Sequence, residues 1–121
     1  MNPGVSPLRI VGIGGTTKSA SSTEQALVIA LAAARVAGAE VQHFNGPFLA
    51  QLPHYGTEQA QRSAEGLELL AAVRQADGVI IASPGYHGSI SGLVKNAIDY
   101  LEETARDGRV YLDGVPVACQ P

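Results

Sequence analysis

Strand-like and helix-like segments alternate along this chain, and together they predict an α/β domain built on a doubly wound parallel sheet. Three observations carry that expectation. Residues 8–13 (LRIVGI) and 77–83 (DGVIIAS) are short, continuously apolar runs, the pattern of strands buried on both faces. Segments of helical spacing separate the strand runs, which suits right-handed crossovers. Glycine-bearing loops follow the first and third strand runs. Both therefore lie at strand carboxyl ends, where open α/β sheets bind ligands.

The elements follow in order. Residues 8–13 are the first strand, and GIGGTTKSASSTE, residues 12–24, is the loop after it. Ser21 with Glu24 three places on has the form of a capping box, opening an alanine- and leucine-rich helix from Ser22 to about residue 37 that Gly38 stops. Residues 39–44 form a second strand. A loop with Pro47, Pro53 and Gly56 comes next, and residues 61–76 place Leu67, Leu70, Ala71 and Val73 or Arg74 at helical spacing. Residues 77–83 are the third strand, broken by Pro84. PGYHGS leads into a helix expected over residues 89–105, and residues 115–119 begin a fourth strand.

Composition narrows the partners. The 121 residues suit a single domain, and 45% hydrophobic content supports a core without a disulfide or metal. A net charge of −3 with eight scattered basic residues gives no footprint for nucleic acid or an anionic membrane. Cys119 stands alone, so neither a disulfide framework nor a thiolate metal site is expected. Residues 1–7 lack the form of a signal peptide, and the apolar stretch at 26–34 is too short to span a bilayer. A soluble, cytoplasmic protein is the expectation.

The first loop is close to three phosphate-binding designs. Read from Gly12 it nearly matches G-x-x-x-x-G-K-[ST], but Thr17 stands at the second glycine, and a β-branched residue resists the positive φ a phosphate-cradling turn needs. Thr17 also occupies the third glycine of G-x-G-x-x-G, and the second strand ends in His43, Phe44 and Asn45 without an acid for a ribose. The third design holds a monophosphate with hydroxyls, backbone N–H groups, a helix amino end and one cation, an inventory that Thr16, Lys18, Ser21 and Thr23 supply. Glu24 fits that design less well, since its charge repels a phosphate unless it turns back to its own cap. A Ser/Thr-rich turn that merely caps the helix stands beside it as the plain alternative.

The second loop adds a resemblance. In SPGYHGSISGLVKNAIDY, residues 83–100, Ser83, Pro84, Tyr86, His87, Gly88, Ser89, Gly92, Lys95, Asn96 and Asp99 resemble, in order and spacing, the flavin loop and following helix of the NAD(P)H-dependent FMN reductases. That family is flavodoxin-like and includes quinone, azo-dye and chromate reductases. The resemblance runs over about residues 9–116. It implies a flavodoxin-like sheet of order 2-1-3-4-5, bound FMN, and NADH or NADPH as hydride donor. In its first loop, Gly15, Thr16, Lys18, Ser21 and Thr23 fall at the family's phosphate-binding places, with Ser22 between them. In the second, Pro84, Gly85, Tyr86, His87, Gly88 and Ser89 fall at the flavin-ring side. Gly85 stands where an acidic residue is frequent, and Lys18 replaces the commoner arginine.

The residues are compatible with that chemistry. A flavin needs a phosphate cradle and, at a distance, a loop that admits close backbone approach beside a helix amino end, whose field stabilises charge on a reduced ring. No side-chain acid or base is required, because the cofactor carries the reaction. Tyr86 is expected against the flavin ring and His87 to contribute backbone contacts. Asn96 is a candidate to tie down the second loop through backbone hydrogen bonds, and Lys95 with Asp99 reads as a solvated helix face. His43, His54 and Cys119 show no ligand spacing and read as structural.

The expected function is hydride transfer from NADH or NADPH to FMN and onward to free flavin, a quinone or another small acceptor. An electron carrier or FMN-binding module without reductase activity is the alternative. Residues 117–121 stop where a fourth strand is just under way, so the single domain 1–121 is expected to be incomplete at its carboxyl end, without the fifth strand, or covered there by a partner subunit. The resemblance also implies a homo-oligomer, a dimer or tetramer.

Overall fold

The computed structural model describes residues 6–16, 21–85 and 89–120. Its four strands, β1 (Arg9–Gly14), β2 (Glu40–Phe44), β3 (Gly78–Ala82) and β4 (Val117–Gln120), form one parallel sheet in the order β2-β1-β3-β4. That is the expected order as far as its fourth strand. β1 pairs with β2 from Arg9↔Glu40 to Ile13↔Phe44 and with β3 from Ile10↔Gly78 to Gly14↔Ala82. The chain leaves β1 for β2 on one side and later returns to β3 on the other. Strand order thus reverses at β1, which opens a crevice at the carboxyl ends of β1 and β3.

Alternation along the strands divides two layers. Val11, Ile13, Phe44 and Val79 belong to the larger core, with Leu49, Leu69, Leu70, Val73, Val94, Ala97 and Tyr100 from the helices. Ile10, Val41, Ile80 and Ala82 face the other way, onto Leu27 and Leu31 of α1 (Ser22–Val36). The α1 side is thinner. Val28, Ile29 and Val36 on the far side of that helix stay exposed, Val36 at 90%.

Helix starts follow local chemistry. Ser21 caps α1 by accepting the Glu24 N–H at 3.1 Å, as the sequence predicts. The reciprocal half of the capping box does not form, because the Glu24 carboxylate turns to His43 instead. A short helix α2 (Gly46–Gln51) stands where a loop was expected. Asn45 Oδ1 accepts the Phe48 N–H at 3.0 Å and Pro47 sits in the first turn, two start signals on a helix too short to show periodicity.

The single helix expected over residues 61–76 is two, α3 (Glu58–Arg62) and α4 (Ala64–Arg74). Ser63 between them is extended (φ −71°, ψ 138°) and its hydroxyl caps α4 through the Gly66 N–H. Helix α5 (Gly92–Asp99) begins later than residue 89, because Ser91 is its cap, and it tightens into a 3-10 turn (Tyr100–Thr104). The Arg109 guanidinium closes the far end of α4, donating to the carbonyls of Val73 (2.8 Å), Arg74 (3.0 Å) and Ala76 (3.0 Å). The Val73 and Arg74 carbonyls belong to the last turn of α4, where acceptors have no partner within the helix.

Candidate functional site

The two glycine-bearing loops start side by side. Gly15, the first residue after β1, donates its N–H to the carbonyl of Ala82, the last residue of β3, at 3.1 Å. One hydrogen bond therefore joins the roots of both loops across the switch point. Of the expected site residues, Gly15, Thr16, Ser21, Ser22, Thr23, Pro84, Gly85 and Ser89 are described; Lys18, Tyr86, His87 and Gly88 lie outside the described residues, as does Thr17.

The first loop leaves β1 through a residue that only glycine accepts. Gly15 has φ +118°, and a Cβ there would stand 2.2 Å from Glu24 Oε2. Gly46, at the start of α2, is wedged against the same loop, since a Cβ on it would fall 2.0 Å from the Thr16 carbonyl oxygen. The loop root is thus held against β3 and α2 by backbone contact and against α1 by the Glu24 side chain.

At the other end of this loop α1 presents its amino terminus. The Glu24 N–H goes to Ser21 Oγ and the Gln25 N–H to the Ser21 carbonyl at 3.0 Å, whereas helix geometry gives the Ser22 and Thr23 N–H groups no partner within the helix. Ser21 still has its hydroxyl proton to donate after accepting at oxygen. Ser22 is exposed, but Thr23 is only 8% exposed, so its contribution to an anion would come from its backbone N–H. A glycine turn at positive φ, a helix amino end and a hydroxyl cap are groups that could hold a phosphate, and capping alone does not require the Gly15 conformation.

The second loop is fastened differently. Ser83 Oγ accepts the Ser91 N–H at 2.7 Å while donating to the Pro84 carbonyl at 3.0 Å, and both serines are buried, at 6% and 3% exposure. Ser91 Oγ in turn accepts the Val94 N–H at 3.3 Å and caps α5. The hydroxyl bridge closes the base of residues 84–90, leaving Gly85 and Ser89 exposed and Pro84 half-buried. The amino end of α5 is thereby set at Gly92 rather than at Ser89. A Cβ on Gly85 would meet nothing within 4 Å, so this glycine gives the loop open space.

Three further residues find their places. Asn96 ties down residues 53–55 rather than the second loop: its Nδ2 donates to the Pro53 carbonyl at 3.1 Å and its Oδ1 accepts the Tyr55 N–H at 2.8 Å. Lys95 pairs with Asp99 on the exposed face of α5. His43, read from sequence as structural only, lies at the carboxyl end of β2 with its Nε2 3.2 Å from Glu24 Oε1. No spacing rule links residues 24 and 43. Val41 packs against the α1 side, and His43, two residues on, shares that face, which was the available signal.

Comparison with known proteins agrees with this fold. A quinone reductase from Escherichia coli (strain K12) is 33% identical over 97 residues, covering 78% of this chain and 50% of that protein. An NADPH azoreductase from Bacillus sp. (strain OY1-2) is 42% identical over 55 residues, covering 45% of this chain and 31% of the relative. The solved structure of an NADH:FMN oxidoreductase (EMOB) in its apo form superposes with a TM-score of 0.66 at 28% identity, covering 91% of this chain and 55% of that one. The chain spans about half the length of the quinone reductase and of the solved structure. The NADPH-dependent FMN reductase family matches residues 8–120, and the chain belongs to that family.

Proposed function

We propose that this chain forms the FMN-binding part of an NAD(P)H-dependent reductase that passes electrons from NADH or NADPH through FMN to free flavin, a quinone or another small acceptor. The observation that carries the reading is the Gly15 N–H to Ala82 carbonyl bond, which fixes two differently built loops to one crevice at the sheet's switch point. Gly15, Thr16, Lys18, Ser21, Ser22 and Thr23 take the phosphate; Pro84, Gly85, Tyr86, His87, Gly88 and Ser89 take the ring. When bound, FMN would supply the redox chemistry, which links nicotinamide oxidation to reduction of the acceptor. The protein's own tasks are to neutralise the phosphate, to fix the ring and to set the amino end of α5 beside it.

Purified full-length protein is expected to bind FMN and to oxidise NADH or NADPH when FMN and a quinone are supplied. Binding without nicotinamide oxidation, tried with free flavin, quinones and azo dyes, would reduce the reading to an electron carrier; no FMN binding would end it. A Lys18→Ala, Ser21→Ala double variant is expected to weaken FMN much more than riboflavin.

The reading extends to the surroundings of the domain. No helix among the described residues is long and apolar enough to cross a membrane; the free thiol of Cys119, the one cysteine of the sequence, supports a reducing, cytoplasmic location. β4 pairs with β3 along one edge, Val117 is 41% exposed, and Val28, Ile29 and Val36 are uncovered on α1. These surfaces support a domain completed by further chain or by another subunit, in a homo-oligomer. Sedimentation of the full-length protein tests that last point, and a monomer at all concentrations would refute it.

A further inference from the structure

Glu24 stands where an anion site least favours a carboxylate, in the first turn of the helix whose amino end faces the phosphate loop. Its side chain folds under that loop. Oε2 is buried, lies where a Cβ on Gly15 would come within 2.2 Å, and has no hydrogen-bond partner among the described residues. Oε1 is 3.2 Å from His43 Nε2, with the two side chains 21% and 23% exposed. At that distance the contact lacks hydrogen-bond alignment, since His43 Nε2 is itself without a hydrogen bond among the described residues. The distance is the better guide here: the pair acts through charge when the imidazole is protonated, more than through a directed bond.

Such a carboxylate has two opposed effects. Its volume fills the space beneath Gly15 and supports the first turn of the loop. Its charge repels a phosphate dianion, and a charge pair of that kind changes affinity by roughly fivefold even in water-like surroundings.

We propose that Glu24 is an affinity-setting charge beneath the phosphate loop, with His43 as its positioning and charge partner, so that the phosphate end of FMN is held loosely enough to exchange. The proposal rests on the FMN reading above and adds to it the residue that limits retention of the flavin. Glu24 holds the loop's shape and weakens its grip at once, and His43 offsets part of the repulsion.

The test uses full-length protein titrated with FMN and with riboflavin, which lacks the phosphate, at low salt and one fixed pH. Glu24→Gln keeps the shape and removes the charge. It is expected to bind FMN roughly fivefold tighter, to leave riboflavin within about twofold, and to lose most of its advantage in about 0.5 M salt. His43→Gln is expected to move FMN the other way, again sparing riboflavin. A purely packing role predicts weaker binding of both flavins by both variants. Should Glu24→Gln unfold, Glu24→Met, similar in length and uncharged, makes the same comparison. Unchanged or weaker FMN binding by a folded Glu24 variant, with wild-type protein that binds FMN, overturns this inference alone; wild-type protein that binds neither flavin overturns the FMN reading with it.

Discussion

The roots of the two loops at the crevice are anchored by different means. The first is held by crowding: Gly15 lies over Glu24, and Gly46 abuts the Thr16 carbonyl, so the backbone has nowhere else to go. The second is held by a hydroxyl bridge from Ser83 to Ser91 at its base, while Gly85 above it faces open space. The difference suits what each would bind. A phosphate is small, and its N–H donors must converge on one point, which favours a close-packed turn. A flavin ring is broad, and a loop with a fixed base and an open rim can lie along it. Substitutions at the first loop should therefore act through steric clash and those at the second through lost hydrogen bonds.

Gly46→Ala tests the first statement most severely. Alanine is the better helix residue by about 1 kcal/mol, so local propensity predicts a gain at the start of α2. A Cβ 2.0 Å from a backbone oxygen predicts a loss, because backbone atoms on both sides would have to move. The clash is the larger effect, and a net destabilisation of about 3 kcal/mol is expected in urea unfolding. A neutral or stabilised variant would mean that the loop root is not crowded.

Ser83→Ala comes next. The Ser91 N–H would remain buried without its acceptor, and a buried orphan donor costs about 2 kcal/mol. The second loop should loosen, with riboflavin and FMN weakened alike, while Ser83→Thr restores both. A Ser83→Ala variant that loses phosphate affinity only would place its action in the first loop and break the division between them.

Ser21→Ala removes a cap whose substitution typically costs about 1 kcal/mol, and unfolding should report that much. If the hydroxyl serves the anion as well as the helix, FMN should suffer more than riboflavin. Equal losses would reduce Ser21 to its capping role.

Much of this was readable in advance because it rests on local patterns. The buried strands announced themselves as LRIVGI and GVIIA, and the parallel order follows from their alternation with helices. Ser21 was visible as a cap from its spacing to Glu24. What escaped depends on contacts distant in sequence or on elements shorter than a helical period. Helix α2 has six residues, and the break at Ser63 turns on one extended residue inside an apparently continuous pattern. The Ser83–Ser91 bridge hid in plain sight, since serines around a glycine loop look like solvated turn residues until burial is known. The contact of His43 with Glu24 was the least legible. A lone histidine at a strand end carries no spacing signal, and its meaning appears only when β2 is laid beside β1 and the side chain reaches Glu24.

Gly85 offers the smallest effect and the cleanest contrast. It stands where related flavin loops often hold an acid, yet a Cβ there meets nothing, and its backbone is not in the left-handed region. Alanine at this position therefore removes only freedom of the unfolded chain, and Gly85→Ala should change stability by no more than about 0.5 kcal/mol, in the stabilising direction if at all. The same replacement thus separates the loops, at Gly46 by clash and at Gly85 by its absence. If the ring of FMN lies along the open rim, Gly85→Ala should alter FMN and riboflavin equally and by little, and Gly85→Glu should weaken FMN beyond riboflavin only as far as its charge reaches the phosphate. A Gly85→Ala variant destabilised as strongly as Gly46→Ala would show that the second loop, too, is held by packing that the Ser83 bridge does not explain.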